Sequence, residues 1–171
     1  MEIICAGYPK TGSKSCSDAL RELGYTVADY PETAEYLGYQ WTDFIDGKIG
    51  IESVIEEYKK QGFQANQDMP GNVLWEKLYH ASPNAKVILT VRDSEKQWKN
   101  SFINFVRHEY ERLGNPAYWM LKTMSYYGIM GPKMHMIDNF ENLVLSNVMI
   151  GFDPMARFWT WQAAIEYFST V

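Results

Sequence analysis

The stretch Gly7-Tyr8-Pro9-Lys10-Thr11-Gly12-Ser13-Lys14-Ser15 decides how this chain is read. It follows a short apolar run, Ile3 to Ala6. It precedes a helical pattern, Lys14 to Leu23, with Leu20 and Leu23 on the apolar face and Gly24 as the stop. Strand, tight loop and helix in that order set small residues at a helix N-terminus. Backbone N–H groups there can converge on an anion, and the positive end of the helix adds to them. Lys10, Lys14 and the hydroxyls of Thr11, Ser13 and Ser15 add charge and donors. Phosphate or sulfate suits such a loop, although a Gly-rich turn of this kind can also bind nothing. A Walker A loop needs Gly-x-x-x-x-Gly-Lys-Ser/Thr. Gly7 and Gly12 fit, but Ser13 stands where the lysine belongs and Lys14 comes one place late. The Pro9-Lys10 pair instead puts a lysine early in the loop.

Outward from the loop, strands alternate with helices. Tyr25 to Ala28 reads as a weak second strand and Phe63 to Gln67 as a third. Ala85 to Val91 is the clearest, a nearly continuous apolar run of the kind found in buried parallel strands. Helices are expected over Ile51 to Gln61, Gly71 to Ala81 and Glu95 to Leu113, the last opened by a capping box of Ser94 and Gln97. Pro31 to Gly50 reads as aromatic and turn-rich. Beyond Asn115, helices are expected over Pro116 to Tyr127 and Arg157 to Tyr167, with a Met-rich, broken stretch from Ile129 to Asp153. This order predicts an α/β fold, a P-loop-like three-layer sandwich with a mostly parallel central sheet flanked by helices. All 171 residues read as one domain without repeats or linkers.

Composition sets the outer limits. Hydrophobic residues make up 46% and charged residues 22%, which suits a globular protein and excludes disordered, collagen-like and coiled-coil classes. No apolar run is long enough to span a membrane, and the first residues lack the pattern of a secretory signal. A formal net charge of −5 argues against a dedicated nucleic-acid binder. It leaves room for a small anion at a locally basic site. Two cysteines, Cys5 and Cys16, are too few for a disulfide framework, and no Asn-x-Ser/Thr sequon occurs. A reduced, cytoplasmic setting is expected.

Two motifs carry a family resemblance. Tyr8-Pro9-Lys10-Thr11-Gly12-Ser13 resembles the 5′-phosphosulfate loop of sulfotransferases. Ala6 to Leu20 is similar to a divergent branch with Gly-x-Pro-Arg/Lys-Thr-Gly-Thr/Ser-x-Ser. Ala85 to Lys96, continuing through Ser101, resembles the family's 3′-phosphate segment. Two motifs in the right order are more specific than either alone. The similarity covers most of residues 1 to about 110 and fades afterwards. It implies 3′-phosphoadenosine-5′-phosphosulfate (PAPS) as sulfuryl donor and 3′,5′-adenosine bisphosphate (PAP) as product. By this resemblance Lys10 contacts the bridging and sulfuryl oxygens. Pro9, Thr11, Gly12, Ser13, Lys14 and Ser15 complete the loop around the 5′-phosphate. Arg92 takes the 3′-phosphate, with Ser101 on the following helix. The Arg-to-Ser spacing is nine here, one more than in many relatives, so Asn100 competes for that role. Arginine offers phosphate a bidentate fork, at the strand end where open α/β sheets bind ligands.

Many sulfotransferases use the His of a His-x-Pro element as base. Asp68-Met69-Pro70 occupies that place and makes Asp68 the candidate base. An N-cap for a helix starting near Gly71 is an equal reading of Asp68. His80 and His108 fall in helices and carry no partner signal, and His135, in the ambiguous stretch, is a candidate for the acceptor pocket. No metal is expected, because Lys10 and the loop amides can take over the charge stabilisation that magnesium gives in phosphoryl transfer. Aromatic and Met residues at Tyr36 to Phe44 and Trp119 to Met136 are core material or the wall of a pocket for a small-molecule acceptor. Relatives continue past this point with another strand and a closing segment. The resemblance therefore implies a C-terminally short domain and a sheet edge open to pairing as a homodimer. The competing readings are a P-loop nucleotide kinase or NTPase with Asp93 as magnesium ligand, and a non-catalytic nucleotide-binding relative.

Overall fold

Ile3–Ala6 carries four consecutive residues that are apolar or nearly so, and in the fold all four are buried. A strand buried on both faces belongs at the centre of a layered sheet. A computed structural model of the chain describes residues 1–113 and positions 116, 117, 120 and 124. Its described residues fall in two units, Met1–Val91 and Arg92 onward.

In the first unit, Ile3–Ala6 is β1, followed by α1 (Ser13–Glu22), β2 (Val27–Ala28) and α2 (Tyr30–Glu32). A π-helical stretch, Thr33–Leu37, leads into α3 (Gly38–Ile45) and α4 (Ile51–Lys60). Then come β3 (Ala65–Asn66), α5 (Trp75–Ala81) and β4 (Lys86–Leu89). The strands form a parallel sheet in the order β2-β3-β1-β4. Ile3 pairs with Ala65 on one side and Lys86 on the other; the β4 register runs on to Ala6 opposite Leu89. The chain steps out to β2, returns to β3, then crosses β1 to reach β4. The loop after β1 thus opens where the strand order reverses, the place where open α/β sheets bind ligands.

Alternation along β1 divides its side chains between the two faces. Ile3 and Cys5 join Leu20 of α1, Val27 and Ala65 in one cluster, with Cys16 packed against it. The sulfurs of Cys5 and Cys16 lie 3.8 Å apart, both as free thiols. Helix α5 packs against β1, and α4 against α5 and α3. Val54, Ile55 and Tyr58 supply the buried stripe of α4. Val54 and Ile55 each contribute roughly 1.5–3 kcal/mol relative to an exposed side chain.

The region 30–45 corrects the sequence expectation of a turn-rich segment. Asp29 caps α2 and forms a capping box with Glu32, and Pro31 lies in the first turn. Ala34, Leu37 and Trp41 then recur at helical spacing and are all buried. Trp41 meets Phe44 and Tyr58 edge-on at ring separations of 5.9 and 6.4 Å. Two further expectations change. Helix α5 begins at Trp75 rather than Gly71, because residues 69–73 are turns closed by bonds such as Val73 N–H to Pro70 C=O. Strand β4 does not have the buried faces its apolar run suggested. Among the described residues it pairs with β1 alone, and Val87, Leu89 and Val91 are 40, 67 and 69% exposed.

The second unit begins with Arg92 and is described through α6 (Glu95–Leu113). The Ser94 hydroxyl accepts the Gln97 N–H at 3.2 Å, the forward half of the expected capping box. Trp98 stacks on Phe102 at 5.2 Å, and Phe102 meets Phe105. Positions 116, 117, 120 and 124 are helical, as expected for 116–127. The stretch 129–153, His135 and the helix expected over 157–167 lie outside the described residues. No helix among the described residues is long and apolar enough to cross a membrane.

Trp41 has no exposed surface and packs edge-on against Phe44 of its own helix and Tyr58 of α4. Trp41→Ala should cost about 3–5 kcal/mol of stability, read as a lowered midpoint in urea unfolding. A loss below about 1 kcal/mol would mean that 30–45 is not the packed helical segment described.

Candidate functional site

Sterics shape the loop before chemistry does. At Gly7 the backbone runs at φ +126°, and a Cβ there would lie 2.6 Å from the Thr90 carbonyl oxygen and 2.8 Å from its hydroxyl. Only glycine fits so close an approach. Gly12 stands at φ +104° as the N-cap of α1. No side chain caps that helix and its first turn carries no acid. The first N–H groups of a helix need outside acceptors, so an uncapped, acid-free N-terminus favours an anion there. Lys10 lies between the glycines at φ +70°. For an L-residue with a long side chain this costs roughly 1–2 kcal/mol.

Asp68 follows β3 as Lys10 follows β1. It too has a left-handed backbone, φ +66°. Among the described residues, Lys10 and Asp68 are the two non-glycine positions with positive φ. Such outliers gather at functional sites. Asp68 is not the N-cap of α5, a place held by Leu74. Its carboxylate accepts the Met69 N–H at 2.9 Å instead. Burial raises the Asp68 pKa above the ordinary carboxylate value, and the charge on Asp29 adds to the rise. The Met69 N–H, the Lys10 charge and the Ser13 hydroxyl pull the other way. Asp68 therefore lies within electrostatic reach of Lys10 and Ser13 of the loop.

Asn72 ties the two segments together. Its backbone N–H donates to the Asp68 carbonyl at 3.0 Å, and its side-chain amide donates to the Gly7 carbonyl at 2.9 Å. It is buried. Asp29, buried at the end of β2, lies 4.0 Å from the Lys14 ammonium and 3.9 Å from the Arg21 guanidinium. Lys14 also pairs with Asp18 at 3.3 Å, so its charge is shared with two acids on the flank of α1.

The first unit thus brings together Pro9, Lys10, Thr11, Gly12, Ser13, Lys14, Ser15 and Asp68. Pro9 is buried, Lys10, Thr11, Gly12 and Ser13 are half-buried, and Lys14 and Ser15 are exposed. Arg92, Asn100 and Ser101 belong to the second unit. There Arg92 and Asn100 are exposed, and Ser101 is half-buried on α6. Among the described residues no group of three His, Cys, Asp or Glu side chains is placed to hold a metal ion.

A family model described as a sulfotransferase domain matches residues 2–165. The chain belongs to the sulfotransferase family. No curated protein sequence matches it. Membership in a sulfotransferase family supports sulfuryl transfer as its general activity, and the parallel sheet between helices agrees with the sulfotransferase fold. Sequence reasoning singled out the loop and Asp68 of this sulfotransferase. It missed Asn72, Asp29 and Thr90. Only the Asp29-x-x-Glu32 capping pattern was legible beforehand; Thr90 is brought to the loop by strand register and Asn72 by the turn after β3, which no local pattern reveals.

Gly7→Ala forces a methyl group into Thr90. It should lower stability by roughly 1–3 kcal/mol and abolish measurable anion binding at the loop. Thermal unfolding and calorimetry with PAP check both.

Proposed function

We propose that this sulfotransferase moves a sulfuryl group from PAPS to a hydroxyl or amine of a small acceptor. One observation carries the reading. Asp68, a carboxylate with a raised pKa, stands within reach of the lysine of an uncapped anion loop. The loop fits the donor's charged tail. It offers a helix N-terminus without acid or cap, a lysine, and the hydroxyls of Ser13 and Ser15. PAPS, when bound, supplies the sulfuryl group and leaves as PAP.

The side chains divide the work. Lys10 neutralises negative charge that builds on the bridging oxygen as the sulfur–oxygen bond breaks. The first N–H groups of α1 hold the 5′-phosphate, flanked by Ser13, Lys14 and Ser15. Asp68 takes the proton of the attacking hydroxyl or amine, and its raised pKa makes it a better base. Pro9 and Gly12 shape the loop. Arg92, with Asn100 or Ser101, grips the 3′-phosphate through a charge-assisted fork. A kinase or NTPase would need a free lysine in Walker register, whereas Lys14 is paired to Asp18.

Calorimetry separates the readings. Binding of PAP without magnesium supports this one. Magnesium-dependent ATP or GTP binding would replace it with a nucleotide kinase or NTPase, and absence of any nucleotide binding with a non-catalytic relative. A labelled-sulfate screen over small alcohols, phenols and amines identifies the acceptor. Lys10→Ala should lower transfer on the order of a hundredfold or more; transfer at the parent rate would overturn the mechanism.

Asp68 also makes a pH-dependent demand on the fold. Its folded pKa lies above the ordinary value of 3.8. The folded state therefore holds the proton more tightly than the unfolded chain. Stability falls as pH rises from 3.8 through the folded pKa and stays lower above it. Asp68→Asn keeps the acceptor for Met69 N–H and suits a left-handed backbone. It should raise Tm at pH 7, with the gain vanishing as pH falls to 3.8. Transfer should fall by about 10²–10⁴. A lower Tm at pH 7 would show that the Asp68 carboxylate acts as a structural acceptor instead.

A further inference from the structure

We infer that Thr90 is a positioning residue for the anion loop, acting through a hydroxyl relay to Thr11 and Tyr8. The Thr11 hydroxyl lies 2.7 Å from the Tyr8 carbonyl oxygen. A carbonyl can only accept, so Thr11 donates its single proton there. The Thr11 and Thr90 hydroxyl oxygens are 2.8 Å apart. With the Thr11 proton already committed, Thr90 must be the donor of that bond. Its alternative acceptor, the Ala6 carbonyl, is farther at 3.4 Å. The direction of the relay is thereby fixed: Thr90 to Thr11 to Tyr8. Hydroxyl chains of this sort polarise one another and strengthen together.

The relay closes the turn that contains Pro9 and Lys10. It holds Lys10 in a left-handed backbone that a lysine ordinarily avoids. Thr90 is itself fixed, because its N–H donates to the Ala6 carbonyl at 3.1 Å, extending the β1–β4 ladder by one bond. Its hydroxyl also sits where a side chain at Gly7 would be. Loop shape is thus referred to the sheet. The Thr11 hydroxyl proton is spent within the loop, so Thr11 meets a ligand through its backbone N–H. The choice of PAP as probe rests on the sulfonucleotide reading; the relay itself does not.

The test uses Thr90→Val, which keeps shape and removes the hydroxyl, and Thr90→Ser, which restores it. Amide hydrogen exchange over residues 8–13 of the ligand-free protein should quicken at least about fivefold in Thr90→Val and return to the parent rate in Thr90→Ser. The Kd for PAP should rise by a similar factor and recover with serine. Thr11→Val breaks the relay from its exposed end, and the double variant should be no worse than either single one. Unchanged loop exchange in both valine variants overturns the inference. So does a loop that loosens while PAP affinity stays at the parent value. A parent that binds no PAP, with loop exchange still responding to Thr90→Val and Thr90→Ser, overturns the sulfonucleotide reading and upholds the relay.

Discussion

The pairing of β1 with β4 along its whole length is the constraint on which the rest depends. Ile3 to Ala6 lies against Lys86 to Leu89, and one further bond joins Thr90 N–H to Ala6 C=O. This register puts Thr90 beside Gly7 and leaves no room for a side chain there. On the other flank β3 pairs with β1 through Ile3 and Ile4, and the Asn66 side chain then accepts the Cys5 N–H at 3.2 Å. There a side chain takes the place of a strand bond at the last residue of β3. The side-chain period of a strand is two, so a one-residue slip of β4 would present the opposite face to the loop.

The two residues proposed for the chemistry both sit on unfavourable ground. Lys10 and Asp68 share a left-handed backbone, and burial opposes ionisation of Asp68. Neither condition helps the fold. Both are held by neighbours that are well placed: Asn72, which bonds Asp68 and Gly7 at once, and the threonines at the loop. A stable frame carrying a few strained groups is the usual division of labour between scaffold and site.

Much of this was readable from the chain alone, for identifiable reasons. β1 and α6 show their bounds because an apolar run or a helical period ends on clear punctuation: Gly7 after the strand, Ser94 before the helix. The loop was legible because its chemistry is local, since glycines, lysines and hydroxyls within nine residues need no tertiary context. Residues 30–45 were misread because tyrosines and a proline suggested turns, while the Asp29-to-Glu32 box that starts a helix was overlooked. The apolar run of β4 promised two buried faces, but periodicity reports only how a strand is patterned and not what packs on it. Asn72 and Thr90 were out of reach for a different reason. Each meets the loop from more than sixty positions away, Thr90 through the register of β4 on β1 and Asn72 through the turn that follows β3.

Asp29 illustrates how closely the parts are coupled. One carboxylate opens α2, faces Lys14 and Arg21, and lends its field to Asp68. A replacement by serine would keep the helix start yet silence the field; one by glutamate would keep the charge and lose the cap. Substitution at this position is therefore judged by two standards at once. Drift that is neutral for folding is not neutral for proton affinity at the neighbouring strand end, because the residue that starts α2 also lends its charge to Asp68.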